Sequence, residues 1–271
     1  MDDVDEAQAM IEAALAAGMN LIDNADVYGL DWGGTGFGAC EELLGKVLRQ
    51  APQLRDPMVL ATKGGIIPPI PYDQSDSYLR SAVDASLGRL GVDTIDLYQI
   101  HRPDLYAHPA EMAATLTSLR EAGKIREVGV SNFTVAQHDA LAAHLPFPIA
   151  STQPQFSITS LDPMRDGTFD RAMRDGVTPL AWSPLGGGAL ATGEGVEPDL
   201  LAVIDRLAER EGVDRATIAL AFVLCHPAEP VAILGTQNPD RIAEANKALG
   251  VHLDRTDCYE LIVASEGVPL P

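Results

Sequence analysis

Seven short apolar runs rich in Val, Ile and Leu recur along the chain, at residues 19–22, 58–62, 95–100, 127–130, 149–152, 178–182 and 231–234. None alternates apolar and polar residues at period two. Uninterrupted apolar character over so few residues suits parallel strands covered on both faces. The stretches between them read as helices. Asp5 with Gln8 has the spacing of a capping box and Gly18 that of a stop, which predicts a helix over 5–17. Pro109 suits a first helical turn that ends at Gly123, Thr134 with Gln137 repeats the capping pattern, and Asn238-Pro239 opens a helix closed by Gly250.

Strand and helix therefore alternate throughout. At 271 residues, a right-handed βαβ succession closes most naturally into a single α/β domain, a (β/α)8 barrel spanning 1–271. Only seven strands are found, and the first helix has no strand before it. An open seven-stranded barrel would leave two unpaired sheet edges. The expectation is a barrel lacking its first strand at the N-terminus, Met1 being an internal start; the alternative is that another segment fills the gap.

Composition narrows the function. A net charge of -20 and the absence of a basic stripe exclude a nucleic-acid partner. Cys40, Cys225 and Cys258 are widely spaced with no CxxC pair, which supports neither a disulfide framework nor a structural zinc site. No apolar run approaches the ~18 residues of a membrane span. A cytoplasmic protein without a membrane partner is expected, its oligomeric state left open.

The chemistry gathers at strand ends. The stretch GMNLIDNADVYG carries an apolar run to Asp23 and then, five residues on, to Tyr28; the second run ends on Lys63 and the third on His101. In an α/β barrel, functional side chains sit at such C-terminal strand ends. Singly each has a plainer reading: Asp23 as a turn or helix cap, Tyr28 as a rim aromatic, Lys63 as a solvated charge and His101 as a satisfied buried histidine. On successive strand ends they make a catalytic set.

LIDNADVYG, LATKGG, QIHRPD, GVSNF, LAWSPLGGG and LGTQNPDRIAEA follow one another in the order of the aldo-keto reductases, which the chain resembles from Asp5 onward. The resemblance implies Asp23, Tyr28, Lys63 and His101 as the catalytic residues. It also implies hydride transfer between a nicotinamide cofactor and a small-molecule carbonyl or alcohol, with no metal. A phenol's ordinary pKa of ~10 is high for a proton donor, and a neighbouring ammonium favours its phenolate. Asp23 would hold that ammonium, and His101 would donate to the substrate oxygen.

For the cofactor, the resemblance implies Ser131, Asn132 and Gln153 on the carboxamide and Trp182 stacked on the nicotinamide. It implies Ser183, Leu185, Gly186 and Gly187 around the pyrophosphate, Thr236 and Arg241 on a 2′-phosphate, and Glu244 on adenine. Gly235 stands where many members have lysine, and Ala245 where many have asparagine. NADPH is therefore expected to be favoured chiefly through Arg241, with NADH possible. The Gly-rich loop 33–38 lacks the order of a dinucleotide fingerprint and reads as a loop bordering the substrate mouth, as does the Pro-rich stretch 64–72. A tail too short for a long substrate loop predicts an open pocket. Two rivals are a non-catalytic cofactor-binding relative and a metal-dependent barrel hydrolase; the latter lacks an HxH pair or carboxylate cluster beside His101.

Overall fold

The computed structural model describes residues 3–30 and 35–269. They divide after Thr152 into two compact units. In the first, α1 (Val4–Ala16), β1 (Leu21–Asp23), α2 (Ala39–Gln50), β2 (Val59–Gly64), β3 (Ile66–Ile67), β4 (Ile70–Tyr72), α3 (Asp76–Leu90), β5 (Ile95–Ile100), α4 (Pro109–Glu121), β6 (Ile125–Ser131) and α5 (Val135–Ala142) follow in order. β7 (Ser151–Gln153) carries the boundary.

Within the first unit β1, β2, β5 and β6 lie side by side, every pair parallel, with Asp23 opposite Ala61, Lys63 opposite Gln99 and Gln99 opposite Gly129. β5 is buried at all six positions, as a strand covered on both faces must be. Its Ile95, Tyr98 and Ile100 pack with Leu60 and Val130 from neighbouring strands and with Leu79, Leu116 and Leu119 from α3 and α4.

Local signals set most helix ends. Thr134 and Gln137 form the expected capping box, Pro109 is the first residue of α4, and Gly18 adopts φ +80 just beyond α1. One cap differs from expectation. Asp3, not Asp5, caps α1, its carboxylate accepting from the amides of Asp5 and Glu6 at 2.8 and 3.2 Å. Asp5 is instead engaged by Gln50, 42 residues beyond Gln8, whose amide donates to it at 2.7 Å.

The Pro-rich stretch after Lys63, read from sequence as a loop, forms an antiparallel hairpin of β3 and β4. In the Gly-rich loop, Gly33 and Gly34 lie outside the described residues. Gly38 opens α2 at φ +83, where a Cβ would meet the Arg89 side chain at 2.5 Å. Glycine is required there by both backbone angle and space.

The second unit holds α6 (Thr168–Asp175), β8 (Thr178–Ala181), α7 (Ala189–Thr192), α8 (Pro198–Glu211), α9 (Arg215–Leu224), β9 (Val231–Ala232), α10 (Pro239–Ala245) and α11 (Arg255–Glu266). β8 and β9 are parallel, pairing Leu180 with Val231 and Ala181 with Ala232. β9 is shorter than the run 231–234, although Ile233 still donates to Ala181 O at 2.9 Å. Its core centres on Phe156, edge-on to Phe169 at 4.7 Å and tilted against Phe222 at 5.9 Å, with Leu207, Ile218 and Leu261 around them.

Candidate active site

The parallel register of the first unit decides which strand-end side chains meet. Successive residues of a strand point to opposite faces, so Ala61 and Lys63 share a face, and their cross-strand partners Asp23 and Gln99 share it with them. The Lys63 side chain is fully buried, and its ammonium donates to Asp23 Oδ2 at 2.5 Å and to the Asn24 carbonyl at 2.9 Å. Gln99 donates to the other Asp23 oxygen at 3.0 Å. Gly129 makes room for this amide: a Cβ there would stand 2.8 Å from Gln99 Cγ and 2.2 Å from Ser151 Oγ.

Tyr28 closes the group from the β1–α2 loop. Lys63 Nζ lies 5.0 Å from its ring centroid. Its ring meets His101 edge to face at 5.7 Å and 82°. The four strand-end residues nominated from sequence thus form one cluster. Burial alone would pull the Lys63 pKa down; the Asp23 charge and the contacts with Tyr28 outweigh it, and the ammonium is held above the ordinary lysine value.

His101 behaves oppositely. Burial, with the positive charges of Lys63 and Arg102, depresses its pKa to about 3, so the imidazole is neutral at ordinary pH. Its main chain is fixed by a 2.9 Å bond to Gly64 O, and its Nδ1 is buried without a hydrogen-bond partner.

Behind the cluster lies a second set of ionisable groups that sequence reading did not single out. Glu41, fully buried on α2, accepts from Arg89 at 2.7 Å and from Thr62 at 2.5 Å. Asp26, two residues before Tyr28, is 1% exposed. Burial and the Glu41 charge push its carboxyl up to about 8, which keeps it protonated near neutrality. Gln99 was missed as well: a glutamine in an apolar run carries no signal until the register shows what it faces.

Among the cofactor candidates of the first unit, Asn132 donates to Ser131 Oγ at 2.8 Å and to His101 O at 3.4 Å. Asn132 has φ 58, and in the second unit Ser183 has φ 55; non-glycine residues held there cluster at ligand clamps. The half-buried Trp182 bridges to Gln155 in parallel. Gln153 is buried at the end of β7.

After Ser183 the chain turns through Gly186, Gly187 and Gly188 at φ 57, 68 and 99. Ser183 Oγ accepts from the Gly187 amide at 2.9 Å, and a Cβ at Gly187 or Gly188 would meet nothing within 4 Å. Leu185 packs against the second core.

Asn238 accepts from Asp240 N and Arg241 N at 2.9 and 3.4 Å, and Asp240 puts negative charge in the first turn. Arg241 is exposed and Thr236 half-buried. Glu244 pairs with Lys247 at 3.3 Å. No helix of the described residues is long and apolar enough to cross a membrane, and no group of three metal-binding side chains occurs among them.

The profile of the aldo/keto reductase family matches residues 3–262. A 6-dehydroglucose reductase of Novosphingobium aromaticivorans is 49% identical over 267 residues, covering 98% of this chain and 88% of its own. A protein of the same name from Agrobacterium fabrum is 37% identical, covering 96% and 88%. Oxidoreductase YdhF of Escherichia coli is 32% identical, covering 97% and 88%. Among solved structures, a thermostable aldo-keto reductase crystallised with the inhibitor epalrestat superposes with a TM-score of 0.82 at 25% identity, over 96% of this chain and 88% of that one.

Proposed function

Because the chain belongs to the aldo/keto reductase family, we propose that it is an NADPH-preferring oxidoreductase that reduces an aldehyde-bearing sugar, 6-dehydroglucose or a close analogue, to the alcohol. The substrate class is supported by two relatives of that name, at 49% and 37% identity. The single observation that carries the chemistry is Tyr28, its ring centroid 5.0 Å from the ammonium of a buried Lys63 that is itself ion-paired with Asp23.

When bound, the reduced nicotinamide supplies hydride to the carbonyl carbon. The protein supplies the proton and the field. Tyr28 gives its hydroxyl proton to the carbonyl oxygen as negative charge develops there. The phenolate left behind faces the Lys63 ammonium, which Asp23, Asn24 O and Gln99 keep in place at no cost of reorganisation during the reaction. Neutral His101 orients the substrate oxygen by hydrogen bonding without removing the proton itself.

On the cofactor side, Ser131, Asn132 and Gln153 are assigned to the carboxamide and Trp182 to the nicotinamide face, where indole offers a large stacking surface. Ser183, Leu185, Gly186 and Gly187 are assigned to the diphosphate, Thr236 and Arg241 to the 2′-phosphate, and Glu244 to adenine. Arg241 is the determinant of NADPH over NADH in this reading.

The test is to follow NADPH absorbance with the purified protein and 6-dehydroglucose, with glucose measured as product. Stoichiometric NADPH oxidation and glucose formation are expected. Quenched tryptophan fluorescence with NADPH but no oxidation of it, by this or other aldehydes, would favour a non-catalytic cofactor-binding role.

A further inference from the structure

The second unit contains a pair of thiols outside the proposed catalytic and cofactor residues. Cys225 follows the last residue of α9, and Cys258 is the fourth residue of α11. They are 33 residues apart in sequence, yet their sulfurs stand 3.5 Å from each other, with both cysteines in the free form. A disulfide bond is about 2.05 Å long, so forming one requires the sulfurs to approach by roughly 1.5 Å. Cys225 is exposed and Cys258 half-buried, which gives a small oxidant access from the Cys225 side.

The surroundings assign different roles to the two. The Cys225 thiol is placed to donate, with Phe222 O at 3.3 Å and Cys258 Sγ at 3.5 Å as acceptors. That shared proton holds the Cys258 thiol below its ordinary value and Cys225 above it. Asp257 and Asp254 oppose the thiolate, but Asp257 is clamped by Arg210 through two 2.8 Å bonds, so part of its charge is answered. Cys258 is therefore the more thiolate-like sulfur, and thiolate is the reactive form.

We propose that Cys225 and Cys258 form an oxidisable dithiol, a modification site at which a peroxide converts the pair to an intramolecular disulfide. The Cys258 thiolate attacks one peroxide oxygen, the O–O bond breaks, and a sulfenic acid forms with release of hydroxide or alkoxide. The Cys225 sulfur then attacks the Cys258 sulfur; an S–S bond forms, and the hydroxyl leaves as water with the Cys225 proton. Two thiols are oxidised and one peroxide is reduced. The bond closes a loop from 225 to 258 that contains β9, Thr236, Arg241 and Glu244, tying the end of α9 to α11.

Cys40, the chain's third cysteine, is removed for the test by Cys40→Ser. The folded variant is treated with hydrogen peroxide at low molar excess, denatured, and assayed for free thiols and intact mass. Two thiols are expected to fall to none, with a loss of two hydrogens and one cross-linked peptide containing Cys225 and Cys258; dithiothreitol restores both thiols. Adding Cys225→Ser should stop the reaction at a Cys258 sulfenic acid that dimedone traps, whereas Cys258→Ser should leave Cys225 largely unreacted. Two thiols persisting in the monomer, oxygen adducts without the two-hydrogen loss, or cross-linking only between molecules would each overturn the proposal.

Discussion

Lys63 reaches Asp23 at 2.5 Å although the two are 40 residues apart and lie on adjacent parallel strands. The pair works because Asp23 stands opposite Ala61, two residues before Lys63 on the same face of β2, so the long lysine side chain lies back along the strand end over Tyr28. This buried ion pair places a fixed cation beside a phenol, and the behaviour of several variants follows from it.

Removing the cation strands the carboxylate. Lys63→Met is expected to lose activity and to destabilise the fold by about 3–5 kcal/mol, the range for breaking a buried pair from one side. Combining it with Asp23→Asn should recover part of the stability, because no unpaired charge then remains. Denaturant titration of both variants checks this, and equal stability of the single and double variants would reject it.

The phenol's contribution is separable from binding. Tyr28→Phe keeps the ring that meets His101 and Lys63 but removes the proton donor. A fall in kcat of about 10²–10⁴, the usual range for a positioned acid, is expected with the affinity for NADPH nearly unchanged. Unaltered turnover would show that the proton comes from elsewhere.

Asp26 makes stability depend on pH. Its folded carboxyl is raised to about 8 from 3.8, so between those values the native state holds a proton that the unfolded chain has released. Stability contributed by this group is therefore greatest below about pH 4 and declines as pH rises to about 8, by up to ~1.4 kcal/mol per pH unit. Asp26→Asn should flatten that decline. The comparison is between wild-type and variant midpoints at pH 5 and pH 8, and parallel curves would mean that Asp26 ionises normally.

His101 acts with the opposite sign. With its folded value near 3 against 6.5 when unfolded, the unfolded chain binds a proton that the native state refuses. Stability is lost as pH falls from about 6.5 toward 3. The His101 ring resonances should stay at their neutral positions from pH 8 down to pH 5 in NMR spectra. A titration midpoint near 6.5 would contradict the burial argument.

Arg241→Ala should raise the KM for NADPH by about tenfold to a hundredfold, since a charge-assisted contact is worth ~1.5–3 kcal/mol, with little change for NADH. Steady-state kinetics with both nucleotides decide it. Equal effects on the two would place the 2′-phosphate against another residue.

What was legible in the sequence was local. Apolar runs gave the strands, and Thr134 with Gln137, Pro109 and Gly18 gave helix ends, because period, capping and left-handed backbone depend on neighbours within a few residues. Even there, one cap moved from Asp5 to Asp3 when Gln50 engaged Asp5 from another helix. The ionisable residues at strand ends were legible as a set because strand ends are local too.

The tertiary structure alone decided what those residues touch. Gln99 against Asp23 and the approach of Cys225 to Cys258 arise from pairings 76 and 33 residues apart, and the space that Gly129 leaves for Gln99 and the raised Asp26 carboxyl likewise depend on other elements. A strand's period fixes the face a side chain points to, but the register against a distant strand fixes its neighbour. That register is set by packing of the whole core, which no short stretch of the chain encodes.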